Sequence, residues 1–341
     1  MKRPTIADIA RRAGVSTGAV SYALNGQPGV SERTRARILA IAEEIGWQPN
    51  SSARALSGAR VNTVGLAVSR PASVLAIEPF FMRLISGMET ALSEDGTGLL
   101  LQVVPDREGE IRAHRRWWAE RRVDGVILID LEIEDRRVDA LVELGMPAAV
   151  VGGPSGDPRL TEVYSDEFSP MRQLVDYLVA LGHRRLAHVR GPSHLLHTAR
   201  RSQAYEQAVE RLGVTSAVTC DTDYTGEAAA RATRDLMARS DSPTAIIYDN
   251  DVMAVAAVAV TQEMGLSIPA DVSLVAWEDS PLCQLVHPPL TTLHRDVVAY
   301  GVHVAQQLLA TIADGVRRSH EEDAAYLIPR GTTAAPREPV G

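Results

Sequence analysis

The chain has 341 residues, 45% hydrophobic and 23% charged, with a formal net charge of −8, enough material for two or three domains with buried cores. No apolar run approaches the ~20 residues of a membrane span, the N-terminal MKRPTIADIARRAG lacks the apolar stretch of a secretory signal, and Cys220 and Cys283 alone make no disulfide framework, so a reducing cytoplasm is expected. The charge is uneven: residues 1–60 hold nine Lys and Arg against four Asp and Glu, whereas residues 61–341 hold 26 against 39. A basic head on an acidic body predicts that the head meets a polyanion and the body does not.

Residues 5–45 read as three short helices. Thr5 and Asp8 have capping-box spacing, and Ile6, Ile9, Ala10 and Ala13 follow the helical period before Gly14. Ser16 caps a second helix running to about Asn25, and Ser31 caps a third whose buried stripe is Ile38, Ile41 and Ile45. In the second helix, STGAVSYALNG, the residues Val20, Ala23 and Leu24 point inward, while Thr17, Gly18, Ser21, Tyr22 and Asn25 share the outer face. That face is short, uncharged and rich in hydrogen-bonding groups, which suits base edges in a major groove. A helix, a tight turn and a polar second helix make a helix-turn-helix.

Residues 49–60, PNSSARALSGAR, favour helix, yet Leu56 is their one large apolar side chain. A free helix this short is marginal in water. From residue 61 short apolar strands alternate with amphipathic helices. NTVGLAVS, GLLLQVV, DGVILI and PAAVV form one series of buried strands, and RLAHV, TAIIY and VSLVAW a second. Helices are expected near 81–95, 109–121, 135–144, 199–212, 226–239 and 251–264. This alternation predicts two lobes with parallel sheets covered on both faces, and a ligand cleft at the carboxyl ends of the strands.

TIADIARRAGVSTGAVSYALNG, then VSERTRARI, then PNSSARALSG, resembles the start of the LacI/GalR family of bacterial transcription regulators. The resemblance implies an all-α helix-turn-helix headpiece (1–48), a hinge helix (49–60), and a two-lobed α/β domain like periplasmic binding proteins (61–341). Three crossings between lobes are implied, with a first lobe of about 61–160 plus 294–320 and a second of about 161–293 plus 321–341. Thr17, Gly18 and Tyr22 stand at base-reading positions, and Gly18 departs from relatives that carry a side chain there. Thr5, Ser16, Ser31, Arg33 and Arg35 lie at or near helix starts, where phosphate contacts are usual. In the hinge, Ala53 and Leu56 are implied to meet the minor groove, with Leu56 wedged into the central step of a near-palindromic operator bound by a homodimer.

The body's motifs point to binding rather than catalysis. GGPSGDP resembles a phosphate loop, but Pro154 and Pro158 obstruct it and no Gly-Lys-Ser/Thr follows. His183, His188, His194 and His197 have no zinc-ligand spacing, and no G-x-S-x-G, kinase or zincin motif occurs. No metal or cofactor is expected. RSQAY, DNDVMA, AWED and EPFF resemble the family's effector-site signatures. They nominate Arg201, Asn250, Glu278, Phe80 and Phe81, with Tyr224 and Arg295 at further lining positions and Asp279 as an alternative to Glu278. An acid, an Asn, arginines and flat aromatics together suit a polyhydroxylated effector such as a sugar, because each buried hydroxyl needs a partner. Arg201 and Glu278 are expected to face one another across it. The reading is a DNA-binding regulator, by default a repressor, with a small effector; the alternative is a cytoplasmic solute-binding protein without a DNA role. The terminal RGTTAAPREPVG has no heptads, so no tetramerising coiled coil is expected.

Overall fold

The computed structural model describes residues 4–47 and 60–337. Two compact units divide at Val61 and Asn62. Ala53 and Leu56, with the whole expected hinge helix, lie outside the described residues.

The first unit contains α1 (Ile6–Ala13), α2 (Thr17–Leu24) and α3 (Glu32–Glu44). Thr5 and Asp8 close a reciprocal capping box, and Gly14 ends α1 in the left-handed conformation at φ 63°. Ser16 and Ser31 accept from Ala19 N and Thr34 N at the starts of α2 and α3. Ile9, Ala13, Val20, Ala23 and Ile38 form the buried centre, with Leu24, Ile41 and Ile45 packed around it.

The second unit is built on twelve strands: β1 (Thr63–Val68), β2 (Gly98–Val103), β3 (Gly125–Leu128), β4 (Ala148–Val151), β5 (Thr161–Ser165), β6 (Arg185–Arg190), β7 (Ser216–Asp221), β8 (Ala245–Tyr248), β9 (Ser273–Ala276), β10 (Thr291–His294), β11 (Ser319–Glu322) and β12 (Tyr326–Ile328). They form two six-stranded sheets, ordered β11-β5-β4-β3-β1-β2 and β12-β10-β9-β8-β6-β7. Every pairing is parallel except β10 with β12. Helices cover both faces of each sheet. On the first sheet, Leu84, Met88, Val304 and Leu308 fill one side, and Trp117 and Leu141 the other. On the second, Met253, Ala257 and Leu236 oppose Leu174 and Tyr205.

The chain crosses between the lobes three times, after β5, after β10 and after β11. The first crossing is later than the sequence reading placed it. Residues 161–165 were assigned to the second lobe, yet β5 is fully part of the first sheet. TEVYS is polar enough to escape notice as a strand, and helix Phe168–Ala180 begins the second lobe instead. Likewise Glu321 and Glu322 belong to the first sheet through β11. β2, expected to be buried, is an edge strand whose Leu101 and Val103 are 47% and 49% exposed.

Two helices that reach the cleft are held unusually close. A Cβ on Gly87 would lie 2.0 Å from Val298 O, and one on Gly301 would lie 2.2 Å from Leu84 O. Helices Pro79–Glu94 and Val297–Asp314 therefore cross backbone to backbone. This contact fixes Phe80 and Phe81 at the start of one helix beside Arg295 and Tyr300 at the start of the other.

Candidate functional site

In the first unit, the outer face of α2 is as the sequence predicts. Thr17, Gly18 and Asn25 are exposed, Tyr22 is 48% exposed, and Ser21 is half-buried with its Oγ accepting from Asn25 Nδ2 at 3.3 Å. A Cβ on Gly18 would meet only Ser16 Oγ, at 3.8 Å, so neither backbone nor packing requires glycine there. Thr5 donates to Asp8 Oδ2 at 2.7 Å, and Arg33 is exposed. Arg35 departs from expectation. Its guanidinium donates to Ala23 O at 3.4 Å and Gln27 O at 2.8 Å, clasping the turn after α2 rather than projecting as a phosphate contact.

In the second unit a cleft lies between the two sheets, at the carboxyl ends of their strands. Phe80, Phe81, Arg201, Tyr224, Asn250, Glu278 and Arg295 all line this one cavity. So do Arg70, Glu78, Asp130, Glu167, Asp249 and Tyr300, which the sequence reading did not single out, and His197, which it weighed only as a metal ligand. Their common signal is position: Arg70, Asp130, Glu167, Asp249, Glu278 and Arg295 each follow within two residues of a strand's last residue, where parallel α/β folds place their binding groups.

A chain of buried charges runs through the floor. Glu278 Oε1 accepts from Arg295 Nη2 at 2.6 Å, and Arg295 Nη1 lies 3.5 Å from Glu167 Oε1. Glu167 Oε2 accepts from Arg201 Nε at 2.5 Å, and Arg201 Nη1 donates to Asp249 O at 3.2 Å. The Arg201 guanidinium also lies 4.1 Å from the Trp277 ring centre. Burial opposes ionisation of Glu167, but the charges of Arg201 and Arg295 hold its carboxyl below the usual range. Arg201 and Glu278 thus share the cavity as expected but do not simply face one another, because each is first paired to a neighbour. Of the two candidate acids, Glu278 lines the cavity. Asp279 turns away to a bidentate pair with Arg330 at 2.7 and 3.0 Å and a 3.0 Å contact with His294.

Two members of this chain sit on the crossings themselves. Glu167 lies between β5 of the first lobe and helix Phe168–Ala180 of the second; Arg295 lies between β10 of the second lobe and helix Val297–Asp314 of the first.

On the opposite wall Arg70 grips Asp130 through Nε at 2.7 Å and Nη2 at 3.0 Å. Burial works against the Asp130 charge, yet Arg70 more than offsets it and holds the carboxyl far below the usual range. Asp130 is positioned from behind by Arg137, which donates to Ile129 O and Asp130 O at 3.1 and 2.9 Å. Glu78 accepts from Asn250 Nδ2 of the other lobe at 3.4 Å, and its Oε2 is buried without a hydrogen bond. Burial pushes this acid up to about 7 despite Arg70. The Tyr224 ring lies 4.8 Å from the Arg70 guanidinium, and its hydroxyl contacts His197 Nε2 at 2.7 Å and Thr198 Oγ1 at 2.8 Å. Burial and the neighbouring Arg201 hold His197 down to about 4, so its ring is neutral at neutral pH.

The lobes are in contact along the rim. Leu196 N donates to Leu131 O at 2.8 Å, Ile133 N to His194 O at 3.1 Å, and Arg200 Nη2 to Pro154 O at 2.6 Å. That last contact gives the GGPSGDP loop a structural use without any phosphate. The four histidines of the sequence reading are spread over separate partners: His183 on Thr244, His188 on Asp249, His197 on Tyr224, and His194 near Glu132. No helix among the described residues is long and apolar enough to cross a membrane.

Comparison with known proteins agrees with both units. Residues 5–50 match the description "Bacterial regulatory proteins, lacI family", and residues 175–333 match "Periplasmic binding protein-like domain". The HTH-type transcriptional regulator CelR of Thermobifida fusca is 33% identical, over 91% of this chain and 92% of its own. Among solved structures, a transcriptional regulator CelR–cellobiose complex is similar at 29% identity with a TM-score of 0.74, covering 97% of this chain and all of that one. The lac repressor dimer bound to operator and the anti-inducer ONPF is similar at 25% identity with a TM-score of 0.85, covering 98% of this chain and all of that one. With a relative this similar over nearly all of both chains, and both domains matched in order, the chain belongs to the LacI family.

Proposed function

We propose that this DNA-binding transcription regulator is a repressor whose operator affinity is set by a small carbohydrate effector bound between the lobes. The observation that carries the reading is the placement of Glu167 and Arg295 on two of the three crossings, in the same ion chain that lines the cleft. A ligand that hydrogen-bonds this chain acts directly on the segments about which the lobes turn, so cleft occupancy and lobe arrangement are linked. The crowded polar floor and the aromatic walls, Phe80, Phe81, Tyr224 and Tyr300, suit hydroxyls along a ring edge and an apolar ring face. The cellobiose complex of the CelR regulator supports a sugar as the ligand class.

On the DNA side, Thr17, Ser21, Tyr22 and Asn25 read base edges, and Gly18 lets the backbone approach without adding a contact. Ser16, Ser31 and Arg33 anchor phosphates, aided by the helix starts they flank. Ala53 and Leu56 enter the minor groove of a near-palindromic site, Leu56 as the wedge, when two copies bind together. The exposed Leu101 and Val103 on edge strand β2 and the exposed Met82 offer apolar surface for that pairing. Action on chromosomal DNA implies the cytoplasm.

The test is selection of operators from a random DNA library by the full chain, followed by titration of the selected duplex against neutral hexoses and disaccharides. The expected result is a near-palindromic site whose affinity shifts at least tenfold with one sugar. Leu56→Ala should weaken the complex while leaving thermal unfolding of the body unchanged. Selection of no site would leave the solute-binding alternative standing.

A further inference from the structure

The reading of the cleft as a carbohydrate site leaves open which carbohydrates it admits, and its charges bear on that directly. Three arginines and five carboxylates line the cavity. Each arginine is already ion-paired to a carboxylate, although Arg295 Nε makes no hydrogen bond. Arg70 is bidentate to Asp130, Arg201 holds Glu167, and Arg295 holds Glu278 while donating to Ser165 Oγ at 3.1 Å. A phosphate or carboxylate on a ligand would have to share an arginine with the acid that already neutralises it, in a cavity where carboxylates outnumber arginines.

The remaining carboxylates make entry harder. Asp249 is committed to His188 Nε2 at 2.8 Å and to Gly191 N at 3.1 Å. Glu78 is different. Its side chain is 9% exposed, its nearest cation is Arg70 at 3.6 Å, and its Oε2 has no hydrogen-bond donor. The Arg70 charge is already paired with Asp130, so Glu78 Oε2 is a buried acceptor without a donor. A hydroxyl can donate to it. When Glu78 is ionised, an anionic group near it gains no cation and is repelled.

We infer that the cleft selects uncharged polyhydroxylated ligands and rejects sugar phosphates and sugar acids, with Glu78 as the residue that enforces the rejection. This rests on the carbohydrate reading above and narrows it.

The test uses the full-length protein and calorimetric titration at one ionic strength and at pH 8, above the value of about 7 to which burial raises Glu78. Neutral sugars (glucose, galactose, maltose, cellobiose) are each compared with a phosphorylated and a carboxylate derivative of the same skeleton. The neutral parent that binds most tightly should exceed its own anionic derivatives by at least tenfold, a gap of about 1.4 kcal/mol. Glu78→Gln should narrow that gap by weakening the neutral sugar, strengthening the anionic one, or both. An acid or phosphate that binds as tightly as its neutral parent would overturn the inference and leave the carbohydrate reading intact. So would an unchanged gap in a Glu78→Gln protein whose melting curve shows it folded. If that variant does not fold, the wild-type ratio decides. Silence from every sugar, neutral and anionic, would sink the carbohydrate reading and this inference with it.

Discussion

Glu167→Gln replaces the carboxylate that stands between Arg201 and Arg295 with an amide of nearly the same shape, so packing is kept and the charge is removed. Arg201 loses a 2.5 Å charged hydrogen bond, and Arg295 loses a charge 3.5 Å away. Removing one partner of a buried pair costs about 3–5 kcal/mol, because the other is left uncompensated. The lower end, about 3 kcal/mol, is expected here. Arg201 keeps Asp249, whose O lies at 3.2 Å and whose Oδ1 lies at 3.9 Å, and Arg295 keeps Glu278. The pH dependence has a definite sign. A carboxyl held below its ordinary value of 4.5 contributes its stabilisation in full above that value and loses it as pH falls through the lower, folded value. Urea unfolding of the full chain, followed by tryptophan fluorescence, checks both parts. At pH 7 the variant should unfold at lower urea, and below about pH 4.5 the two proteins should converge as the wild-type loses this contribution. Equal midpoints at pH 7, or a constant difference down to pH 3, would refute the claim that Glu167 neutralises the two arginines.

Gly191→Ala should disturb the cleft from beneath, since its Cβ would lie 1.9 Å from the Tyr224 ring; effector titration should show at least tenfold weaker binding with little change in operator selection. Gly301→Ala forces helices Pro79–Glu94 and Val297–Asp314 apart and should lower body stability by about 1–3 kcal/mol in the same urea assay. Gly18→Ala meets only Ser16 Oγ, at an ordinary contact distance of 3.8 Å, so the headpiece should gain up to about 1 kcal/mol of stability by calorimetry while its preferred operator changes at the base beneath that position. For Glu78 the sign is opposite to that of Glu167. Its folded value of about 7 lies above the ordinary 4.5, so the stabilisation from a neutral carboxyl is present below about 4.5 and lost as pH rises through 7. Glu78→Gln should therefore flatten the stability profile between pH 5 and 8. Asp130 and Asp251 add to the upward shift, and Arg70 and Asn250 oppose it.

The headpiece and most interior strands were legible because each announces itself locally. A cap, a period of apolar residues and a stop glycine define α1, and VILI or AIIY can only be strands buried on both faces. β5, β7, β10, β11 and β12 were not legible, although β5 and β10 are interior strands. TEVYS, SHEE and YLI carry no sustained apolar run, and they are strands because a sheet already in place offers them an edge or a gap. The same division holds in the cleft. Arg201, Asn250 and Glu278 stand in motifs that span several residues. Glu167 and Asp130 stand alone at strand ends, and only the pairing order of β3 and β5 brings them to the cavity. Arg35 was misjudged for a related reason. Being basic and near a helix start does not reveal that two carbonyls after α2 lie within its reach.

The proposed function makes binding at this site reciprocal with lobe arrangement, and the ion chain is the element that would couple them. Glu278 is anchored in the second sheet and Tyr300 in a first-lobe helix, while Glu167 and Arg295 belong to the crossings between them. Arg295 ties this chain to the first lobe by donating to Ser165 Oγ at 3.1 Å and by packing over the Phe80 and Tyr300 rings. Opening the cleft would break the Glu78–Asn250 contact and the rim hydrogen bonds, which run from one lobe to the other. A ligand that replaces those contacts in only one arrangement shifts the equilibrium by its differential affinity, and by no more than that. Linkage then requires DNA to shift ligand affinity by the same factor that ligand shifts DNA affinity. Glu167→Gln weakens the chain without filling the cavity. It should therefore change the ratio of operator affinities with and without effector more than it changes either direct contact surface.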